Sequence, residues 1–391
     1  MTLPNALLMD PCNFVDYPTG GQLSFAQQLM KACANRWALV GISTDTTPVG
    51  QWVDKEFNGI SFKFFSIGRL HTQTHRPLIP ARVSILMRMW RYRQAIHGLG
   101  VHHVFTQSPE MLLAIHNLPW DSICYCFAGA ESPLRRPRYA WGKLLAPLFE
   151  KWWWRALNRA DVLLAAADPC AIETFTQSRQ QARQGPPITP FPTRVDESVF
   201  YPMQQSTIRS RLKIPQDRLL VTCLGRLNVV KGWDLVLEAF QRFRVTHPQA
   251  MLCFVGDGED RPALLRKAQD MVLNDAISIT GFLPPQAVAE HLNAADLVAF
   301  GSHHEGWSVA MLEAIACGKP IVSTRVSGTS DMITPGGNGY IVEHRCPDAF
   351  AQAMNNALTL KAAAQVSLNT AKRYRLGNLK HELGQIWSPM A

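Results

Sequence analysis

Short apolar runs alternate with segments of helical periodicity along most of the chain. The runs that predict strands occupy residues 5–9, 37–42, 60–66, 102–106, 122–127, 162–166, 219–224, 251–255, 278–280, 297–300, 321–322 and 340–342. Helical patterns separate most of these runs, so strands and helices follow one another in turn. Such alternation predicts α/β domains, each built on a parallel, doubly wound sheet.

Two of the predicted helices, over residues 81–97 and 139–157, carry two apolar stripes each. On the first helix, one stripe comprises Val83, Leu86, Met87 and Trp90, and the other comprises Ile85, Met89, Tyr92 and Ile96. On the second, we expect Trp141, Leu144, Leu145, Leu148 and Trp152 to face the core, with Phe149, Trp153 and Leu157 off that stripe. Basic residues lie between the stripes. The pattern indicates either helices buried on two sides or helices that contact an anionic bilayer.

The charge of the chain favours an anionic partner. The formal net charge is +9 over 391 residues, which suits nucleic acid, an anionic membrane surface or a nucleotide-linked substrate. No RNA- or DNA-binding module is recognisable, so we expect no nucleic acid partner. The first residues predict a strand and not a signal peptide, and no apolar run approaches the roughly 18 residues of a membrane span. The nine cysteines form no C-x-x-C pair, so we expect reduced thiols in a cytoplasmic protein.

The segment 297–322 predicts a strand, a loop, a helix and a second strand. Glu305 lies on the loop, Glu313 lies inside the helix, and the backbone N–H groups of residues 307–310 lie near the helix N-terminus. Amides at this position have no intrahelical partner and carry partial positive charge, so they suit a phosphate. Glu313 can accept hydrogen bonds from sugar hydroxyls. The alternative is a surface loop whose acid complements the helix dipole.

Two further loops carry residues suited to a phosphate. Arg226 and Lys231 follow the strand 219–224, and the carboxyl ends of such strands are where doubly wound sheets bind ligands. Arg can grip a phosphate with two donors, and Lys acts as a point charge. Gly20 and Gly21 lie between the strand 5–9 and the next helix, where glycine lets the backbone approach a phosphate or a sugar. A plain turn is the alternative for this glycine pair.

The segment around Glu305 and Glu313 resembles the E-x7-E segment of the retaining GT-B glycosyltransferases of family 4, with the consensus S-x-x-E-G-F-x-x-x-x-x-E-A-x-A-x-G-x-P-V. The matching residues are Ser302, Glu305, Gly306, Glu313, Ala314, Ala316, Gly318 and Pro320, and Trp307 replaces the usual Phe. The proline-rich segment 186–202 is similar to the family's interdomain linker at Val195, Asp196, Phe200 and Pro202. The resemblance is strong over 219–350 and the linker, and weak over 1–185.

The resemblance implies the GT-B architecture, in which two doubly wound Rossmann-like domains face each other across a cleft. Residues 1–195 would form the N-terminal, acceptor-binding domain, and residues 196–371 would form the C-terminal domain that binds the nucleotide-sugar donor. A final helix, from about residue 361 to 387, would cross back, so that residues 372–391 pack on the first domain.

The resemblance also implies roles at the donor site. Arg226 and Lys231 would neutralise the diphosphate leaving group, Glu313 would hold the ribose, and Glu305 would lie near the hydroxyls of the transferred sugar. Further donor contacts would come from Gly20, Gly21, Phe282, Leu283, Gly306, Trp307, Ser308 and Val309, with Phe282 and Leu283 beside the nucleobase. The chain contains no D-x-D pair, so we expect no metal ion, and the nucleotide-diphosphate sugar is a substrate and not a cofactor.

One departure concerns the position near the reacting carbon, where many family members carry a His after the strand that matches 122–127. This chain has no His there, and Glu131 or Ser132 could act in its place. The missing His leaves a nucleotide-sugar-binding pseudoenzyme as an alternative. A GT-B-fold epimerase would need paired carboxylates from the first domain, and we find no such pair. Ser108 and Glu110, after the strand 102–106, are candidates for the acceptor site.

The sequence therefore predicts an enzyme that transfers a sugar, with retention, from a nucleotide-diphosphate sugar to a saccharide or lipid-linked saccharide. The double-striped helices favour a lipid-linked acceptor, as in bacterial envelope polysaccharide and lipopolysaccharide synthesis. The protein would then lie peripherally on the inner face of the cytoplasmic membrane. A soluble acceptor is the nearest alternative, and the base, the sugar, the acceptor and the oligomeric state stay open.

Overall fold

The computed structural model describes residues 4–18, 20–70, 81–129, 140–177 and 185–390. The chain divides into two compact units, one of Met1–Thr193 with Gly377–Ala391 and the other of Arg194–Leu376. The sequence placed the boundaries at 195/196 and 371/372, whereas the structure divides the chain at 193/194 and 376/377.

The first unit is built on an eight-stranded sheet in the order β3-β4-β2-β1-β5-β6-β7-β8. Its strands are β1 (Ala6–Met9), β2 (Trp37–Ser43), β3 (Trp52–Phe57), β4 (Ile60–Arg69), β5 (His103–Thr106), β6 (Ser122–Phe127), β7 (Val162–Ala165) and β8 (Ile188–Pro190). Its helices before the linker are α1 (Gly21–Ala32), α2 (Ala81–His97), α3 (Pro109–Ile115), α4 (Ala140–Leu157) and α5 (Pro169–Gln177). All neighbouring strands pair in parallel except β3 with β4.

The second unit is built on a six-stranded, fully parallel sheet in the order β11-β10-β9-β12-β13-β14. Its strands are β9 (Leu220–Leu224), β10 (Met251–Val255), β11 (Ile277–Ile279), β12 (Leu297–Phe300), β13 (Ile321–Thr324) and β14 (Gly339–Val342). Its helices are α6 (Gln205–Leu212), α7 (Trp233–Thr246), α8 (Arg261–Asp270), α9 (Pro285–Ala294), α10 (Val309–Ala316), α11 (Thr329–Met332), α12 (Pro347–Leu358) and α13 (Ala363–Ala371). The predicted doubly wound α/β fold is confirmed.

Strand order reverses once in each sheet, and this reversal positions the loops that matter for binding. In the first sheet β1 and β5 are neighbours, and in the second β9 and β12 are neighbours. The chain runs outward in opposite directions from each of these pairs. The loops at their carboxyl ends therefore diverge and leave a crevice, which is where open α/β sheets bind ligands.

The apolar stripes of α2 divide between core and solvent. Met89 and Ile96 are fully buried, whereas Met87 and Trp90 are exposed. The stripe that contains Ile85 therefore packs on the sheet, and most of the other stripe lies on the surface. Periodicity reveals two stripes, but only packing decides which one faces the sheet.

On α4 the predicted core stripe is wrong. Leu148 and Trp152 were expected in the core and are exposed, whereas Trp153 and Leu157 are fully buried. The neighbouring Trp154, only 4% exposed, widens the buried face. The side chains of residues 140–146, which include Trp141, Leu144 and Leu145, lie outside the described part of the chain.

The predicted single helix over residues 361–387 is also wrong. It is split into α13 and α14 (Leu376–Ile386), with a short 3-10 turn at Lys372–Tyr374 between them. Arg375 between these elements is extended and pairs with Val195. The Val195 N–H donates to the Tyr374 carbonyl at 2.8 Å, and the Leu376 N–H donates to the Val195 carbonyl at 2.9 Å. The helix stops because its backbone pairs with the linker there.

Beyond this break, the chain completes the core of the first unit. The Trp387 ring stacks on Trp37 with 6.1 Å between the ring centroids. Its indole N–H donates to the Ser122 hydroxyl at 2.9 Å. Trp37 and Ser122 begin β2 and β6, so Trp387 lies at the amino end of the sheet, away from the loops at the carboxyl ends.

Candidate functional site

The loops after β9 and β12 meet at the crevice of the second unit. Lys231 ends a 3-10 turn that Asn228 caps. The Asn228 side-chain oxygen accepts from the Lys231 N–H at 3.1 Å. Gly232 follows with a φ of +60°, and a Cβ there would lie 1.8 Å from the Gly301 carbonyl oxygen. The two loops therefore touch backbone to backbone, which only glycine permits.

Lys231 and Glu305 form an ion pair across these loops. The Lys231 Nζ lies 2.6 Å from the Glu305 Oε1, and the side chains are 33% and 11% exposed. The Ser302 hydroxyl donates to the same Oε1 at 2.8 Å, and the Thr324 hydroxyl donates to the Ser302 carbonyl at 2.6 Å. The sequence placed Lys231 and Glu305 in the same site but assigned them to different parts of a ligand, and their direct contact is a new finding.

The start of α10 supplies amides to the same crevice. Ser308 caps the helix, since its hydroxyl accepts from the Met311 N–H at 3.3 Å. The amide groups of Val309 and Ala310 lie in the first helical turn, where they have no intrahelical acceptor. Together with Lys231 they provide positive charge for an anionic group.

The Trp307 side chain is enclosed by its neighbours. It is only 8% exposed and lies against Tyr374, with 5.2 Å between the ring centroids. A Cβ on Gly328 would come within 2.8 Å of the Trp307 ring, so the ring is tightly enclosed. Of Trp307, only the backbone is therefore open to the ligand that is predicted at this loop.

Glu313 lies just over one turn inside α10. Burial raises the pKa of its carboxyl group from 4.5 to about 8. In the described part of the chain, no side chain donates a hydrogen bond to this carboxyl group or forms an ion pair with it. A ligand with hydroxyl groups would supply the missing donors.

The remaining predicted donor residues border the same edge of the sheet. Arg226 is exposed immediately after β9, and Phe282, after β11, is 70% exposed. Leu283 packs against the small apolar cluster under β9 and β10 instead of standing free. Gly256 and Gly281 form a backbone bridge between the loops after β10 and β11. The roles of Arg226, Phe282 and Leu283 toward a nucleotide remain predictions.

The first unit has its own polar group at the carboxyl edge. Asp10 directly follows β1, is fully buried, and accepts from the Gln107 backbone N–H at 3.0 Å and from its side chain at 2.9 Å. Burial raises the pKa of Asp10 to about 7. Ser108 and Glu110 lie beside it after β5, and the Ser108 hydroxyl donates to Glu110 at 2.9 Å. Sequence reasoning missed Asp10, although an acid directly after a fully apolar strand at the switch point was a usable signal.

The glycine pair begins α1 in this unit. Gly20 has a φ of +133°, and α1 starts at Gly21. No described atom lies within 4 Å of where a Cβ would stand on either residue. The backbone is therefore open to a close approach. Glu131 and Ser132, the proposed substitutes for the missing His, lie outside the described residues.

Two other features are absent from the described residues. No group of three or more His, Cys, Asp or Glu side chains could hold a metal ion there. None of the described helices is both long enough and apolar enough to cross a bilayer.

The protein has the fold of the GT-B glycosyltransferases. The sucrose-phosphate synthase from Thermosynechococcus elongatus matches with a TM-score of 0.76 at 18% identity, over 98% of each chain. Anabaena Alr3699/HepE in complex with UDP and glucose matches with a TM-score of 0.74 at 16% identity, over 98% of this chain and 99% of that chain. At these identities the likeness shows the fold alone.

Sequence comparison relates the second unit to a known family. The model of the family "Glycosyl transferases group 1" matches residues 204–374, which is most of that unit and less than half of the chain. The D-inositol 3-phosphate glycosyltransferase of Acidothermus cellulolyticus is 31% identical over 217 residues, which cover 52% of this chain and 48% of that protein. The chain thus spans about half the length of the curated relatives it matches.

Proposed function

We propose that this protein is a retaining glycosyltransferase that takes a sugar from a nucleoside diphosphate sugar. The observation that carries the proposal is the ion pair of Lys231 and Glu305, 2.6 Å apart at the switch point of the second unit. It sets a phosphate-binding cation directly beside an acid suited to sugar hydroxyls. The family model that matches the second unit supports the same reaction class.

The proposed reaction exchanges one bond at the anomeric carbon for another. The bond from this carbon to the diphosphate oxygen breaks, and a bond to an acceptor hydroxyl oxygen forms. The acceptor proton passes to an oxygen of the departing diphosphate. Negative charge grows on that group, and Lys231, Arg226 and the first amides of α10 would stabilise it. Since these groups supply positive charge themselves, the proposal needs no resident metal.

The two acids would have separate tasks. Glu305, held by Ser302 and Lys231, would bind hydroxyls of the transferred sugar, and Glu313 would bind the ribose. Lys231 would exchange part of its contact with Glu305 for a phosphate oxygen when the donor binds. The acid and the cation are thus ordered before the donor arrives, which lowers the entropy lost in the reaction.

We further propose a saccharide acceptor, bound at the carboxyl edge of the first sheet. Asp10, Ser108 and Glu110 lie there as hydrogen-bonding groups for hydroxyls. A lipid-linked saccharide of the bacterial envelope is the form of acceptor that the exposed apolar stripes of α2 and α4 favour. Such an acceptor would keep the protein at the cytoplasmic face of the membrane.

Donor binding is the first test of this function. Thermal unfolding should be measured with UDP-, GDP-, ADP- and TDP-sugars, and at least one of them should raise the midpoint. Donor turnover should follow, with the anomeric configuration of the released or transferred sugar read by NMR. A chain that no nucleotide sugar stabilises would contradict the whole proposal, and a chain that binds a donor without ever turning it over would be a binding protein.

Lys231→Ala should reduce turnover by roughly a hundredfold or more, because loss of one donor to a developing anion has effects of that size. Lys361→Ala, which removes an exposed lysine of the same unit, is the matched control and should keep wild-type turnover. Both variants should keep the wild-type circular dichroism spectrum. Near-wild-type turnover of Lys231→Ala would remove Lys231 from the diphosphate site.

A further inference from the structure

The large exposed apolar side chains of the first unit concentrate on two helices. Met87 and Trp90 on α2 are 60% and 61% exposed, and Leu148 and Trp152 on α4 are 49% and 56% exposed. Among tryptophans whose side chains the structure describes, Trp90 and Trp152 are the ones classed as exposed. Burial of a Trp ring is strongly favourable, so two exposed rings on nearby helices indicate a surface that something covers.

The same helices carry an excess of positive charge. The sequence of α2 contains no acid, and its basic residues are Arg82, Arg88, Arg91, Arg93 and His97. Past its middle, α4 presents Lys151 and Arg155, with Glu150 as the one acid from residue 148 to its end. Leu148, Trp152 and Arg155 follow the spacing of a single helix face, and all three are exposed.

Helix α3 lies between the two helices and contacts both of them. The Arg93 guanidinium lies 4.8 Å from the centroid of the Trp90 ring. It also donates to the Ala114 carbonyl at 3.2 Å and to the Asn117 side chain at 3.3 Å. Arg93 therefore connects α2 with the carboxyl end of α3.

His116 follows α3, which contacts both α2 and α4. Burial lowers the pKa of His116, a hydrogen bond with the Leu113 carbonyl opposes this, and the nearby charges of Arg155, Arg93 and Arg159 lower the pKa further. Arg93 of α2 and Arg155 of α4 thus lie near the same residue. We call the surface formed by Met87, Trp90, Arg93, Leu148, Trp152 and Arg155 the aromatic-basic face.

We infer that the aromatic-basic face docks on an anionic lipid bilayer. Its tryptophans suit the boundary between headgroups and acyl chains, where an aromatic ring is partly apolar and partly hydrated. Its arginines suit the lipid phosphates, because their long stems can lie along apolar surface while the charge stays at headgroup level. Met87 and Leu148 would enter the acyl region, and these purely apolar side chains favour a bilayer over a nucleic acid.

The face is linked to the site where the acceptor is proposed to bind. Arg82, at the start of α2, lies with its Nε 3.4 Å from the Glu110 carboxylate at the carboxyl edge of the sheet. One helix therefore spans from the bilayer contact to the acceptor edge. In this respect the inference rests on the proposed function, and it names the bilayer as the partner that presents a lipid-linked acceptor.

Vesicle co-flotation tests the face without requiring the acceptor. The full chain should be mixed with vesicles of phosphatidylcholine alone and of phosphatidylcholine with phosphatidylglycerol. We expect binding to the mixed vesicles, with weaker binding to the neutral ones and a loss at high salt. The double variant Trp90→Ser/Trp152→Ser and the single variant Arg155→Glu should each weaken partitioning by roughly tenfold or more.

The control variant should remove one exposed apolar and one exposed basic side chain elsewhere. Leu265 and Arg266 are neighbouring exposed residues on α8 in the second unit, and Leu265→Ser/Arg266→Glu should bind vesicles like the wild type. All variants should be tested for stabilisation by nucleotide sugars, which reads the donor site independently. A wild-type chain that ignores anionic vesicles, or face variants that bind like the control, would overturn the inference and leave the proposed function intact.

Discussion

Ser302 and Lys231 hold the Glu305 carboxylate at the same oxygen. The hydroxyl lies 2.8 Å from Oε1 and the ammonium lies 2.6 Å from it. Two donors on one oxygen leave the second carboxylate oxygen available to a ligand. Ser302 is buried, so in the proposed reaction it would act through Glu305 and not by contact with the substrate.

Ser302→Ala should therefore lower kcat by roughly tenfold, since a hydrogen bond to a charged group contributes about 1.5–3 kcal/mol. The effect should appear in kcat more than in KM, because donor affinity also depends on the phosphate contacts. Steady-state kinetics over a range of donor concentrations would measure the two constants. Ser206→Ala, at an exposed serine on α6, is the control, and equal kinetics for both variants would refute a positioning role for Ser302.

Glu313 should make the stability of the protein depend on pH. The folded chain holds its proton up to about pH 8, whereas an unfolded carboxyl releases it near the ordinary pKa of 4.5. Between these values the folded state binds more protons than the unfolded state, so stability falls as the pH rises. Glu313→Gln removes this titration, and its advantage over the wild type should grow from about pH 5 to pH 8.

Urea unfolding at several pH values in this window would measure the difference in free energy between variant and wild type. Glu259→Gln, at an exposed acid after β10, should show no such trend. A constant difference between Glu313→Gln and the wild type would contradict the assigned burial of the Glu313 carboxyl. Asp10 titrates in both chains, so its own raised pKa cancels from the comparison.

At the scale of elements, the contact between the loops after β9 and β12 depends on Gly232. A Cβ there would lie 1.8 Å from the Gly301 carbonyl oxygen, which also accepts from Arg345. Gly232→Ala should destabilise the fold by about 2–4 kcal/mol, because a left-handed residue and a backbone collision coincide. It should also weaken donor binding, since the loop carries Lys231.

Gly336 is a matched control for backbone strain. It has a φ of +74°, and no described atom lies within 4 Å of its Cβ position. Gly336→Ala should cost about 1 kcal/mol, the price of the left-handed conformation alone. Chemical unfolding of both variants would separate the collision from the strain, and equal losses would mean that the two loops move apart without penalty.

The interior strands were predictable because both of their faces are covered. Every position of β2 and β12 is buried, which gives continuous apolar runs in the sequence. The edge strand β3 has no fully buried position, so its sequence shows no such run and was missed. Short β8, which ends in Pro190, was hidden for a related reason, because it lies in a proline-rich segment.

The sequence predicted which residues form the site but not which of them contact each other. Motif spacing brought Arg226, Lys231, Glu305 and Glu313 to the loops of one sheet. The pairing of Lys231 with Glu305 depends on how two distant loops touch through Gly232, and no local pattern encodes that contact. The buried faces of α2 and α4 could not be predicted for the same reason. A periodic apolar stripe does not show which neighbouring element covers it.

At the scale of the whole molecule, each unit repeats one plan. A doubly wound sheet reverses its strand order once, and polar groups follow the two strands at the reversal. In the first unit these groups are acids and amides around Asp10, and in the second they are a cation and acids around Lys231. The difference in charge suits a polyhydroxyl ligand in the first unit and an anionic one in the second.

The docking of Trp387 on Trp37 also sets an order of events during protein synthesis. Gly377–Ala391 belong to the first unit, but the ribosome makes them after the whole of the second unit. Apolar side chains at the amino ends of β2 and β6 therefore stay uncovered until residues 377–391 have been made. The first unit therefore cannot complete this part of its core until after the second unit has been made.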